Sequence, residues 1–551
     1  MSTRVSAQSS AVVRLVVAIV VTISGIIHVD VARAKGVDMG PPSGIVPTTA
    51  TLEQVLTAHD KAVGKSTVPA NAALIEDGTI SMSGMAGTYR SLDYRDDYIN
   101  TTTLGPFVRR DGVFNGDVWS QDENGQVSHV EGIHERAMID DYTLDNALSG
   151  GNSDVKLLGE VSKPISAYVV EVNPPDGRRE WIFFDRTTNL IDRTEMPQPT
   201  GRFVETYANF QTHNGVTEAW SSHFSDGHSE NDEDDTITSI TTSTNIDPSD
   251  IQTPTSRALV RFPGGETSVD LPVIIDKGRI ILQTVVNGIR YDFQLDSGAS
   301  NIVVDNSAAK QMGLQLYGRR QQTAAGRFTA SQAVIPELDI GDLTMSNVAV
   351  DVFPFKDKTS SGDAIVGLIG FDFIAGLELQ VDYGHSTVTA LLPGMYQPPS
   401  DAYVIPAALD DQVPVIAVQV GQTIGEHFIL DTGATNGFLF PDFAANHKQD
   451  VADRGLGSVV DFYYPHEYAE GVGGYIKLKP TQVAAFTVGG ITFKDWLVNI
   501  LVNDYAQEEE DYDGLVGYDF LRYFTVVFDY ADSQIYLEPS DAARKRKMSQ
   551  L

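Results

Sequence analysis

Tyr291-Asp-Phe-Gln-Leu-Asp-Ser-Gly-Ala-Ser300 has a counterpart later in the chain, His427-Phe-Ile-Leu-Asp-Thr-Gly-Ala-Thr435. In each, an apolar strand runs into Asp-[Ser/Thr]-Gly-Ala-[Ser/Thr], and a second apolar stretch follows (Ile302-Val303-Val304; Phe438-Leu439-Phe440). The likeness continues downstream. Leu338-Asp-Ile-Gly-Asp-Leu-Thr-Met345 matches Phe486-Thr-Val-Gly-Gly-Ile-Thr-Phe493, and Gly367-Leu-Ile-Gly-Phe-Asp-Phe373 matches Gly514-Leu-Val-Gly-Tyr-Asp-Phe520. Leu379-Gln-Val-Asp-Tyr383 then matches Val526-Val-Phe-Asp-Tyr530. One Asp-[Ser/Thr]-Gly tripeptide is noise. Two inside matched copies are an internal repeat.

Two loops of this kind permit a particular chemistry. Carboxylates about 3 Å apart cannot both ionise easily, so they share one proton. The ionised member draws a proton from water while the protonated member polarises a scissile carbonyl. One Asp per copy, Asp296 and Asp431, meeting at an approximate two-fold axis, gives that geometry. Gly298 and Gly433 let backbone approach the carboxyls. Ser297 and Thr432 offer hydroxyls to the opposite loop.

On these motifs the second half of the chain resembles retropepsin-like aspartyl proteases, with two lobes joined in one chain as in pepsin-like enzymes. The match covers about 260–395 and 403–540, with Leu368-Ile369-Gly370 and Leu515-Val516-Gly517 as the later element of each copy. The resemblance implies a mainly β fold, two lobes forming a pseudo-dimer, and Asp296 and Asp431 as a catalytic dyad that hydrolyses peptide bonds without cofactor or metal. Ala299 and Ala434 stand where pepsin-like enzymes usually have Ser or Thr. A missing hydroxyl donor disfavours carboxylate ionisation, so a pH optimum less acid than pepsin's is expected. The spacing of 135 residues between the two aspartates favours compact lobes. Each lobe should carry a flap, with Gly326 in one and Gly473, Gly474 and Tyr475 in the other as candidates; ordinary hairpin turns use glycine equally.

Ahead of the repeat, the signals from about 75 to 245 are nearly all β. Ala167–Val172, Glu180–Asp185, Phe203–Thr212 and Val216–Phe224 read as strands, the last two joined by Asn214-Gly215, a hairpin signal. Thr51-Leu52-Glu53-Gln54 is a capping-box pattern that predicts a helix over 52–63, stopped by Gly64. One helix followed by antiparallel strands resembles the half-barrel of periplasmic lipoprotein carriers, which implies an apolar concave face able to hold lipid or peptide. Glu230-Asn231-Asp232-Glu233-Asp234-Asp235 lacks calcium-loop spacing and reads as a solvated loop rather than a metal site.

The 551 residues suggest about three or four domains. With 74 acidic against 39 basic residues, a net charge of −35 argues against nucleic acid as a partner. The absence of cysteine excludes disulfides, zinc–thiolate sites and a Cys nucleophile. Arg4 and Arg14, the apolar run from Leu15 and Ala32-Arg33-Ala34 read as a signal peptide, so export to the periplasm or beyond is expected, with an uncleaved membrane anchor as the alternative. The expected division is 1–34 signal peptide, 35–50 linker, 51–250 carrier-like β domain, 257–395 first lobe, 403–540 second lobe and 541–551 basic tail. The expected function is an exported aspartic endopeptidase acting on polypeptide, monomeric with intramolecular lobe pairing. The alternative is a non-catalytic peptide- or lipid-binding protein. Processing around 247–257 is left open by the sequence.

Overall fold

The computed structural model describes residues 40–129, 154–173, 179–198, 201–323, 327–410, 412–451, 467–471, 474–502 and 512–540. The signal-peptide reading, most of the loop at 173–177, Gly326, Gly473 and the basic tail lie outside the described residues. The chain forms two compact units, and of the described residues the second takes in Gln121–Ser128 and everything from Thr255 onward.

The first unit opens with the helix Leu52–Val63. Its capping box is complete: the Gln54 N–H donates to Thr51 Oγ1 (3.2 Å) and the Thr51 N–H to Gln54 Oε1 (2.9 Å). Val55 packs on Val170, Val172, Ile182 and Phe184. The strands form one thirteen-stranded sheet, antiparallel where its register is given, with Ala73–Met82 between Met85–Tyr94 and Glu233–Ser243. Directly paired residues share a face. The row Val170, Ile182, Thr194, Glu205, Phe224, Glu233, Met82 therefore lies on the helix-bearing face.

This face is apolar beneath the helix and carries buried acids as well. Glu76, Glu205, Glu233 and Asp235 are buried on it, Glu233 only 2% exposed. The acid run is likewise not a solvated loop throughout. Strand alternation turns Glu233 and Asp235 inward and leaves Asp234 outward against His223 (2.9 Å). Burial pushes Asp235 up to about 6, Asp111 to about 7 and Glu218 to about 8, so these acids resist ionisation.

In the second unit, the two copies of the repeat fold alike. Strand Ala364–Ile369 runs parallel to Ile289–Leu295 and antiparallel to Val303–Asp305. In the other copy Gly514–Val516 runs parallel to Thr423–Leu430 and antiparallel to Phe438–Leu439. Each middle strand thus threads between the strand entering an Asp loop and the strand leaving it. A six-stranded sheet takes three strands from each copy: Ser268–Asp270, Thr387–Leu391 and Glu378–Asp382, then Phe524–Asp529, Gln534–Pro539 and Tyr403–Pro406. One apolar core, from Leu259 to Leu537, runs through both copies. No helix among the described residues is long and apolar enough to cross a membrane.

Candidate active site

The strands Ile289–Leu295 and Thr423–Leu430 each end at an aspartate, and the middle strand of each copy holds that aspartate's backbone. The Asp296 N–H donates to Ile369 O (2.9 Å) and the Asp431 N–H to Val516 O (3.0 Å). Further on, the Phe371 N–H donates to Ala299 O and the Tyr518 N–H to Ala434 O, both at 2.9 Å. Each loop is pinned at one end by the middle strand and at the other by the first residue of the helix that follows it, so neither aspartate depends on loop sequence alone for its position.

The two loops then lock to one another. Ser297 and Thr432 are each 1% exposed. The Ser297 N–H donates to Thr432 Oγ1 and the Thr432 N–H to Ser297 Oγ, both at 3.0 Å. Their hydroxyls donate across the interface, Ser297 Oγ to Leu430 O (2.7 Å) and Thr432 Oγ1 to Leu295 O (3.1 Å). Gln294, which the sequence did not single out, adds a bond from Nε2 to Gly433 O (3.1 Å).

The Asp296 and Asp431 side chains are hydrogen-bonded to each other. Asp296 Oδ1 accepts from the Gly298 N–H (3.0 Å), and Asp431 Oδ1 from Gly433 (2.6 Å) and Ala434 (3.1 Å). A Cβ at Gly433 would stand 2.4 Å from Asp296 Cγ, so only glycine admits the opposite carboxyl. Desolvation, then the negative Asp431, pushes Asp296 well above the ordinary carboxyl range. Asp431 is raised too, by desolvation, with the hydrogen bonds from Asp296, Gly433 and Ala434 pulling it back. One carboxyl is therefore protonated when the other is ionised. No group of described residues could hold a metal ion.

Apolar layers flank both loops. Ala299 packs with Val303, Phe328 and Phe353, and Ala434 packs against Phe438, Phe440 and Leu515. Beneath the pair lie Tyr383 and Tyr530, both buried, with hydroxyls that find no hydrogen-bond partner among the described residues. Burial first, then the negative charge of Asp431 on both hydroxyls and of Asp296 on that of Tyr530, keeps them protonated. Both tyrosines sit in the repeat, but a strand-final aromatic carries no signal of lying under the aspartates. Of the flap candidates, Gly474 begins the strand Gly474–Val488 and Tyr475 is 66% exposed at its start. The first copy has the corresponding hairpin between Tyr317–Thr323 and Arg327–Ile340.

Residues 282–373 match the aspartyl protease family. No curated protein matches the chain. Among solved structures, an aspartic proteinase from Irpex lacteus is 13% identical, covering 51% of this chain and 99% of its own, with a TM-score of 0.32. A retropepsin-like aspartic protease from Rickettsia conorii is 21% identical, covering 22% of this chain and 89% of its own, at 0.18. A LolA superfamily protein from Nitrosomonas europaea is 13% identical, covering 37% of this chain and 99% of its own, at 0.28. In this chain a thirteen-stranded sheet precedes two copies of like fold, and the aspartyl protease family matches within the first of them.

Proposed function

We propose that the double lobe is an aspartic endopeptidase in which Asp296 and Asp431 activate a water between them. The hydrogen-bonded carboxyl pair carries the reading, since burial and mutual repulsion leave it one shared proton at mild pH. The ionised member takes a proton from water as the oxygen attacks the peptide carbonyl. The protonated member gives its proton to the carbonyl oxygen; the carboxyl that took water's proton then passes it to the nitrogen while the other takes one back from an adduct hydroxyl, and the C–N bond breaks to release the amine. The apolar layers beside Ala299 and Ala434 favour polypeptide substrates with apolar side chains near the cut. Ser297, Gly298, Thr432 and Gly433 hold the pair, and the hairpin led by Tyr475 is proposed as a flap. We place the enzyme outside the cytoplasm, on the charged and apolar segments at the start of the sequence.

The test is cleavage of an unfolded protein from pH 3 to 8 by wild type, Asp296→Asn and Asp431→Asn, with and without a statine-type inhibitor. Inhibitor-sensitive activity in wild type alone supports the reading. Equal activity in either Asn variant, or none in folded wild type at any pH, sinks it.

A further inference from the structure

The segment Gln121–Ser128 comes from early in the chain yet belongs to the second unit. Its Asn124 side chain is 3% exposed and bonded at every position but one lone pair. Oδ1 accepts from the Ala349 N–H (2.8 Å), while Nδ2 donates to Ala349 O (3.0 Å) and to Asp372 Oδ1 (2.8 Å). Asp372 is 1% exposed, and its other oxygen accepts from the Ile302 N–H (3.0 Å). Ile302 closes the loop that Asp296 opens. The helix that carries Asp372, Phe371–Ile374, also donates from its first residue to Ala299 O. Asn124 is thus one residue removed from the backbone that fixes Asp296.

The other copy shows what Asn124 replaces. There Asp519 accepts from the Gly437 N–H (3.0 Å), matching Asp372 and Ile302. It also accepts from the Phe520 N–H (3.0 Å), so both of its donors come from its own copy. Asp372 takes one donor, Ile302, from its own copy and the other, Asn124, from outside the repeat. The neighbours of Asn124 reach both lobes. Asp122 Oδ2 accepts from Gln412 Nε2 (3.1 Å) in the second, and Gln126 Nε2 donates to Arg257 O (2.6 Å) at the start of the first.

We infer that Asn124 is a positioning residue for the Asp296 loop, acting through Asp372, and that 121–128 is a built-in clasp without which the first lobe is incomplete. The catalytic half of this inference rests on the endopeptidase reading; the structural half does not. A cut between residues 247 and 257 leaves the clasp in place, so such a cut does not by itself switch the enzyme off.

The test uses the full chain with Asn124→Ala, Asp372→Asn and the double variant. An Asn at 372 keeps the shape but offers one acceptor oxygen where two donors need one each. The expected result for each single variant is a fall in kcat of tenfold or more with KM within twofold of wild type, and a lowered thermal midpoint that leaves the protein folded at the assay temperature. The double variant is expected to fall no further than the worse single one, because both variants lose the Asn124–Asp372 bond. Amide exchange at Ile302 is expected to speed up by tenfold or more in both single variants, whether or not the protein cleaves anything. Wild-type kcat with unchanged Ile302 exchange would overturn the inference while leaving the endopeptidase reading intact. Faster exchange in a wild-type background that cleaves nothing would keep the clasp and remove the endopeptidase. Additive losses in the double variant would reduce Asn124 to a prop for Ala349. If Asn124→Ala does not fold, Asp372→Asn decides by the same two readouts.

Discussion

Gln380 pairs with Val527 across the six-stranded sheet, and Val527 is the residue that holds Gln380's own place in the other copy. A residue opposite its own counterpart marks a two-fold axis. The axis passes through this chain alone, between Glu378–Asp382 and Phe524–Asp529. Mixing Asp296→Asn and Asp431→Asn proteins is therefore expected to restore no activity. Recovery on mixing would mean that lobes also pair between chains.

The pH profile follows from the shared proton. Activity needs one ionised and one protonated carboxyl. It is lost on the acid side as the pair takes up a second proton, and on the alkaline side as it gives up the last. Asp296 is held well above the ordinary range and Asp431 is raised. The kcat/KM profile is expected to peak well above pepsin's acid optimum; a peak near about pH 2 would refute this. Ala434→Thr puts a hydroxyl donor beside Asp431 and favours its ionised form. The acid limb should then move down by roughly half to one unit.

Stability of the first unit should decline with rising pH. Asp111, Asp235 and Glu218 have raised values of about 7, 6 and 8 in the fold. Unfolding restores ordinary values, so the folded state holds more protons in between. Their stabilising contribution is full below the unfolded values and is lost as pH climbs through the folded ones. Each contributes on the order of 1–4 kcal/mol to the difference between mild acid and pH 9. Asp111→Asn is expected to flatten the slope of the melting temperature between pH 5 and 9. An identical slope in wild type and variant would show that Asp111 ionises freely.

The tyrosine pair makes a contrary prediction about stability. Tyr530 stacks on Phe371 of the other lobe with planes 16° apart, and Tyr383 meets Tyr518 at 5.4 Å. Both hydroxyls are buried without a hydrogen-bond partner among the described residues. Removing an unsatisfied hydroxyl relieves about 1 kcal/mol or more and leaves the ring contact. Tyr383→Phe and Tyr530→Phe should unfold at equal or higher denaturant concentration, with cleavage retained. A loss of stability would show that each hydroxyl holds a water.

The parts legible in the sequence are those with local causes. Helix 52–63 was readable because capping, spacing and the Gly64 stop all lie within it. The Asp loops were readable because each occurs twice, and the second occurrence turns a common tripeptide into a pattern. Asp372 and Asp519 were quoted within that pattern, but nothing local says that a buried carboxyl there takes the Ile302 and Gly437 amides. The buried acids of the first unit are illegible for a related reason. A run of acids reads as solvated until its strand register is known, and the register sends Glu233 and Asp235 inward. Asn124 left no trace, since its partners lie 225 and 248 residues away.

The shared sheet also has a history within each molecule's synthesis. Strand Glu378–Asp382 emerges with one edge unsatisfied, and the strand that covers it, Phe524–Asp529, is made only after the whole of the intervening stretch. Until then the first lobe offers an open hydrogen-bonding edge to any other nascent chain. A protein built this way depends on finishing quickly or on being held unfolded until complete. Folding begun only after Phe524–Asp529 has been made would remove that exposure.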